Sequence, residues 1–172
     1  MQNGVTLDKN AAMSSILTPD VIQSIEESVL CWLATLSEDS FPNVSPKEAF
    51  IYDGEGRILI ANIASPITAG NIARHQNVCV SFVDVFTQKG FKVKGTATDC
   101  KPSHPDFKTY HQKMTDFIGT AFLIESIFVI EPTSVHRIIA PSYVLYPEST
   151  ELDRIQESFA TYNIDELRNR YL

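Results

Sequence analysis

The amino-acid sequence predicts a mainly β fold, a small closed antiparallel barrel with flanking helices. Three observations favour this class. About six segments have strand character, most of them follow one another in hairpin order, and helical segments occur between only some of them. A parallel α/β sheet would need a helix after nearly every strand, and closing an antiparallel sheet removes its exposed edges. With 172 residues, 44% of them hydrophobic, the chain can bury one core.

The chain begins with a segment that shows no hydrophobic periodicity. We therefore expect a loose arm over 1–15, followed by a single domain over 16–172. The arm lacks the apolar block of a secretory signal, so the expected location is cytoplasmic. Thr18 and Pro19 then predict the start of a helix, with Thr18 as its N-cap and its end near Ser28.

Six strands are predicted from runs of apolar and β-branched residues bounded by turn signals. They cover Val29–Leu36, Asn43–Tyr52, Arg57–Ile63, Val78–Val85, Phe91–Cys100, and a last β segment over Phe122–Ile130 and Val135–Ala140 that Pro132 interrupts. Within the second strand, Pro46 cannot donate a hydrogen bond to a neighbouring strand, so it predicts an edge or a bulge there.

Three further helices are predicted from their capping residues. One begins at Ser65, which a proline follows, and ends before Asn77. The next begins with Ser103 as its cap and extends to about Ile118. A closing amphipathic helix covers Glu151–Tyr162.

Composition excludes several classes of function. The chain has 14 Lys and Arg against 21 Asp and Glu, which argues against nucleic-acid binding because a phosphate backbone demands a basic surface. No apolar run approaches the roughly 20 residues that span a bilayer, and the scattered histidines and cysteines predict no metal site. The three cysteines are expected to be reduced core residues, and the fingerprints of Rossmann, P-loop and α/β-hydrolase sites are absent.

One local excess of positive charge stands out against this acidic background. Four lysines lie close together in the sequence, namely Lys89, Lys92, Lys94 and Lys101. They fit either a cationic patch that holds one small anion or an ordinary solvated strand face.

Several short motifs follow one another between Val29 and Pro147. In chain order they are A-T-L, P-N-V-S-P-K, I-L-I-A-N, S-P-x-T-x-x-N-I at the helix entrance, V-C-V-S-F and K-G-x-A. In this order they resemble the FMN-binding split barrels of the pyridoxamine 5′-phosphate oxidase-like family, although no motif is specific alone. The resemblance implies a six-stranded split barrel that forms a homodimer and binds FMN in a groove between the subunits.

The resemblance also implies which residues contact FMN. The second strand of such proteins lies along the flavin, which places Ser45, Pro46 and Lys47 near the isoalloxazine ring and the ribityl chain. The ribityl-phosphate end would meet residues of the third strand and the helix entrance, namely Asn62, Ile63, Ser65, Thr68 and Asn71. A phosphate at a helix N-terminus is physically reasonable, and an ordinary Ser-Pro helix cap is the alternative.

One departure from the family concerns the phosphate. Many relatives place an Arg-Lys pair at the helix entrance, where this chain has Ile67 and Thr68. The positive charge must then come from elsewhere, and Lys47 and Lys92 are the candidates.

The function implied by the resemblance is an FMN-dependent oxidoreductase that acts on a small-molecule substrate or electron donor. No side chain is assigned as an acid or base, although Lys47 could stabilise negative charge on the reduced ring. The alternatives are a non-catalytic flavin-binding sensor, electron carrier or storage protein, and a haem- or deazaflavin-binding member of the same architecture. Pyridoxamine phosphate oxidation itself is not expected, because the basic and aromatic residues that bind that substrate's phosphate have no match in the C-terminal segment.

Overall fold

The computed structural model describes residues 16–172, and the arm predicted over 1–15 lies outside the described residues. The described chain forms one seven-stranded antiparallel sheet with helices on its flanks, which confirms the predicted fold class. The strands are β1 (Cys31–Leu36), β2 (Pro42–Lys47), β3 (Phe50–Tyr52), β4 (Ile58–Asn62), β5 (Asn77–Asp84), β6 (Lys89–Cys100) and β7 (Ser126–Ile139). The helices are α1 (Pro19–Glu27), α2 (Pro66–Arg74), α3 (Phe107–Ile118), α4 (Ser142–Leu145), α5 (Glu151–Thr161) and α6 (Ile164–Tyr171).

The sheet is curled because its two edge strands are neighbours in the chain. The strand order is β2-β1-β5-β6-β7-β4-β3, so β2 and β3 form opposite edges. Only Glu48 and Ala49 separate them, and such a link spans at most about 11 Å. The edges must therefore approach each other at this link, and the sheet curls into a half-barrel. The single strand predicted over Asn43–Tyr52 divides at this link, which is why seven strands are found where six were predicted.

The two faces of the sheet differ in chemistry. One row across the strands consists of Leu33, Val80 and Val93, which are fully buried and face the main core. The adjacent row consists of Trp32, Ser81 and Lys92, which are exposed or half-buried on the outer face. A second core lies under α3.

Two prolines of the sheet lie at positions where a strand can lack a backbone N–H donor, one at an edge and one at a bulge. Pro46 lies on edge strand β2, opposite Trp32, as predicted. Pro132 does not interrupt the last strand, because β7 runs past it through a bulge. There Gly95 is opposite Pro132 while Lys94 is opposite Ser134, so one residue of β7 is extra.

The helices begin and end close to the predicted positions, with three exceptions, of which the first is the short helix α4, which the sequence did not predict. Helix α3 starts at Phe107 rather than at Ser103, because the preceding residues form turns in which the N–H groups of His104 and Phe107 donate to the carbonyls three residues earlier. The segment Glu151–Tyr162 does not close the chain, since Asn163 in a left-handed conformation leads into α6.

Candidate functional site

Lys47, the last residue of β2, is a buried cation. Only 7% of the residue is exposed, and it lies opposite Cys31 of β1. Its Nζ donates a hydrogen bond to Ser65 Oγ. None of the ion pairs found within residues 16–172 includes Lys47. A buried ammonium with no carboxylate nearby is costly unless an anion joins it.

The facing thiol does not supply that negative charge. Burial raises the pKa of Cys31 to about 12, so the thiol is protonated at neutral pH. Burial also lowers the pKa of Lys47, against a smaller opposing influence of Cys31. The positive charge of Lys47 is therefore left uncompensated by its strand neighbour.

The turn between β4 and α2 is fixed by Asn62. This buried side chain accepts a hydrogen bond from the Ser65 N–H at 3.0 Å through Oδ1. Its Nδ2 donates to Ser126 Oγ at 2.9 Å. Both ends of the amide are used, so Asn62 holds Ser65 at the start of α2.

The N-terminus of α2 keeps unused hydrogen-bond donors. Ser65 is the N-cap residue, but its hydroxyl makes no capping bond to the helix and accepts from Lys47 instead. Among the hydrogen bonds of the described chain, none is donated by the backbone N–H of Ile67 or Thr68. These donors and the positive end of the helix dipole lie beside the Lys47 ammonium, an arrangement suited to a phosphate.

Helix α2 is tied to the barrel one turn later. Asn71 is buried, and its Nδ2 donates to Thr35 Oγ1 at 2.9 Å. Asn43 of β2 donates to the same hydroxyl at 3.4 Å. Thr68, one turn before Asn71, is 2% exposed. Thr35 thus connects β1, β2 and α2.

The residues predicted to contact a cofactor separate into three groups. Hydrogen bonds join three of them, Lys47, Asn62 and Ser65, at the start of α2, and two more, Thr68 and Asn71, are buried residues of that helix. Ser45 faces inward opposite Leu33, and Ile63 packs against the second core.

The other two predicted residues lie on the outer face. Pro46 is exposed there next to Trp32, and Lys92 lies in the same cross-strand row, opposite Ser81 and His136. Lys92 therefore does not join Lys47 within one chain.

Sequence reasoning missed two residues of this site, Thr35 and Ser126. Thr35 gave a usable signal, since it is a polar residue at an inward position of the otherwise apolar strand CWLATL. Ser126 gave none, because its role depends on the pairing of β4 with β7.

Within residues 16–172, no group of three or more His, Cys, Asp or Glu side chains could hold a metal ion. The helices described here are all too short or too polar to cross a membrane.

The fold and the site define a class: a small antiparallel split barrel in which an edge-strand lysine meets the N-terminus of a helix. Residues 17–138 match the family described as pyridoxamine 5′-phosphate oxidase. The chain belongs to that family. No curated protein sequence matches the chain.

Solved structures share the fold at low sequence identity. HupZ from Group A Streptococcus is 17% identical, with 70% of this chain and 92% of HupZ covered and a TM-score of 0.60. An FMN-binding protein from Syntrophomonas wolfei is 12% identical, with 73% of this chain and 87% of that protein covered and a TM-score of 0.60. An F420 reductase is 23% identical, with 66% of this chain and 94% of the reductase covered and a TM-score of 0.51.

Proposed function

We propose that this chain binds FMN as a homodimer and is an oxidoreductase that acts on a small molecule. The observation that carries the proposal is Lys47, a buried ammonium without a carboxylate partner in the described chain, beside the N-terminus of α2. The family assignment supports a flavin, and so does the similarity to a structure named as an FMN-binding protein.

In this proposal the flavin phosphate binds at the start of α2. Lys47 supplies the positive charge, and the N–H groups of Ile67 and Thr68 supply hydrogen bonds. Ile67 is 68% exposed and uncharged, and Thr68 is buried, so neither side chain replaces the basic pair of relatives. Because Lys47 Nζ donates to Ser65 Oγ at the start of α2, we place this ammonium beside the flavin phosphate rather than beside the isoalloxazine ring.

The flavin, when bound, supplies the hydride or electron transfer. The protein orients it. Strand β2 pairs with β1 on one side only, so its outward backbone groups around Pro46 are free to contact the ribityl chain and the ring. Asn62 keeps Ser65 and the helix N-terminus in place.

The second copy is proposed to cover the outer face of β2, β1 and β5. That face exposes large apolar side chains, with Val44 at 55%, Trp32 at 45% and Val83 at 37%. Exposed apolar surface of this kind is typical of interaction sites. Lys92 lies on the same face, so in this proposal it approaches a flavin only across the dimer interface. The cytoplasmic location stays a prediction.

A deazaflavin is the second candidate cofactor, because one structure with this fold is named as an F420 reductase. The visible spectrum of the purified chain, with FMN or F420 added in turn, separates the two cofactors. A chain that binds either cofactor but oxidises no donor would favour the non-catalytic alternative.

The test of the phosphate site is the FMN affinity of Lys47→Gln. Loss of a charged hydrogen bond is worth about 1.5–3 kcal/mol, so we expect affinity to fall roughly tenfold to a hundredfold. Flavin fluorescence during titration measures it. Lys108→Gln, a change at an exposed lysine of α3, is the matched control and should leave affinity unchanged. Equal affinities of the two variants would refute the assignment of Lys47.

A further inference from the structure

The C-terminal helices lie outside the part of the chain that matches the family. The match ends at residue 138, whereas α5 begins at Glu151 and α6 ends at Tyr171. Helix α5 is fixed to the barrel, because the Phe159 ring packs edge-on against Phe86 of the β5–β6 hairpin at 5.2 Å between ring centroids. Ser158 Oγ also donates to the Phe86 carbonyl at 2.8 Å. The two helices are therefore an addition to the barrel, anchored through α5.

Helix α6 has no such anchor of its own. Of the elements within residues 16–172, α5 is the one with which α6 makes its main contacts, and residues 165–172 are all exposed. An isolated helix shorter than about 12–15 residues is marginal in water, and α6 has eight. A helix this short depends on packing against another surface for its stability.

One side of α6 is apolar. Ile164, Leu167 and Tyr171 are three and four residues apart, so they form a stripe along the helix. Leu167 is 40% exposed and Tyr171 is 74% exposed. Ile164 is half-buried and lines a groove of about 260 Å³ between α5 and α6, together with Phe159 and Ala160. The stripe therefore has a recess at one end and an exposed aromatic ring at the other.

Two charged residues beside the stripe indicate what covers it. Asp165 and Arg168 lie three residues apart on the same flank of the stripe, and neither takes part in an ion pair formed within residues 16–172. When two copies of one helix pack antiparallel about a two-fold axis, the same flank of each copy faces the other. Asp165 of each copy then lies beside Arg168 of the other.

The same arrangement also matches the two ends of the stripe. The first turn of one helix lies against the last turn of the other, so the Tyr171 ring of each copy lies over the recess at Ile164 of the other. The apolar stripe and its charged flank are thus both complementary to a second copy of α6.

We propose that α6 pairs with α6 of a second copy of this chain, antiparallel about a two-fold axis. Packing of the two stripes buries apolar surface, and the two reciprocal pairs between Asp165 and Arg168 set the direction of the helices. This contact is additional to the one on the outer face of β2, β1 and β5, and it does not rest on the proposed function. Where the outer face associates as proposed, the α6 contact joins two dimers; on its own it gives a dimer.

Charge reversal tests the pairing, because each reversed variant is repelled by its own copies and attracted by the opposite variant. Asp165→Arg sets positive charge against Arg168 twice, and Arg168→Asp sets negative charge against Asp165 twice. Each variant alone should associate through α6 at least roughly tenfold more weakly than the parent chain, and an equimolar mixture of the two should recover the parent affinity. Sedimentation equilibrium of the full chains measures this as a mass that halves in each variant and is restored in the mixture.

Asn169→Asp is the matched control. It adds a negative charge at an exposed position on the opposite side of α6 from the stripe, and it should leave the mass unchanged. A mass that neither reversal alters, or a mixture no heavier than the separate variants, would overturn the proposal. The second result would show that α6 is covered by something other than its own copy.

Discussion

At the scale of single residues, Lys47 shows how a candidate binding residue conflicts with folding. Because burial lowers its pKa, the unfolded chain holds that proton more tightly than the folded chain does. The protonated lysine therefore lowers the free energy of unfolding. This cost is complete below the lowered pKa of the folded state, and it disappears as the pH rises through that pKa to the pKa of the unfolded chain. An anion bound beside the ammonium offsets the same penalty at neutral pH.

Part of this site could be predicted from the sequence. The order of motifs identified Lys47, Asn62 and Ser65, which the structure joins by hydrogen bonds. It could not show that Lys92 faces the opposite side of the sheet from Lys47, because a one-residue change in strand register reverses the side on which a residue lies. Nor could it show the link between Asn62 and Ser126, residues 64 positions apart.

Asp53 is a buried carboxylate with a structural role. Its side chain is inaccessible to solvent and accepts hydrogen bonds from the Glu55 N–H at 2.7 Å, the Arg57 N–H at 3.0 Å and Arg57 Nε at 2.6 Å. Burial alone would raise its pKa, but these hydrogen bonds and the Arg57 charge lower it. Asp53 therefore stabilises the fold at neutral pH, and this contribution is lost as the pH falls below about 4 and through the lowered pKa.

We expect Asp53→Asn to reduce the free energy of unfolding at pH 7 by about 1–3 kcal/mol, since buried donors of the β3–β4 turn lose a charged acceptor. Urea unfolding at pH 7 and at pH 3.5 measures the effect, and the difference between variant and parent should shrink at the lower pH. Asp116→Asn, at an exposed position of α3, is the control, with an expected change within about 0.5 kcal/mol. A pH-independent difference would contradict the role given to the Asp53 charge.

At the scale of elements, local signals predicted where most strands and helices lie. Thr18-Pro19 and Ser65-Pro66 correctly mark the starts of α1 and α2. The start of α3 was predicted too early because Ser103 and Pro105 have the chemistry of a cap but occupy turns. The division of the second strand follows from the curl of the sheet, which puts its two halves at opposite edges and which no local pattern encodes.

The bulge between β6 and β7 depends on Gly95. A Cβ at this position would lie 2.3 Å from the Glu131 carbonyl oxygen, a backbone atom that cannot move aside without breaking the ladder. We expect Gly95→Ala to lower the free energy of unfolding by at least about 2 kcal/mol, measured by urea unfolding.

Gly70 provides the comparison within the same protein. It lies inside α2, and a Cβ there would meet only the Arg74 side chain at 3.5 Å. Gly70→Ala should therefore raise the free energy of unfolding by about 0.5–1 kcal/mol. If Gly95→Ala and Gly70→Ala changed the free energy of unfolding by similar amounts, the Glu131 carbonyl would not be what excludes a side chain at Gly95.

At the scale of the whole molecule, the proposed dimer makes a prediction about Val44. A glutamate at this exposed position of the outer face would be buried against the second copy at a cost of at least 2 kcal/mol. We expect Val44→Glu to weaken dimerisation at least thirtyfold, roughly, by sedimentation equilibrium, and to weaken FMN binding with it.

Val144→Glu, at an exposed valine of α4, makes the same chemical change outside the proposed face. It should leave the dimer and FMN binding intact. Dissociation by the change at Val144 rather than at Val44 would move the interface to the C-terminal helices.

The contact between α5 and the β5–β6 hairpin also has a consequence for the chain during its synthesis. Ser158 is joined to Phe86 across 72 residues, so at about 5–20 residues per second the ribosome needs roughly 4–14 s between the two. Throughout that interval the nascent hairpin exists without the Phe159 ring that later covers Phe86. Apolar surface that is exposed during folding favours aggregation, and here that exposure ends only when α5 packs on the hairpin.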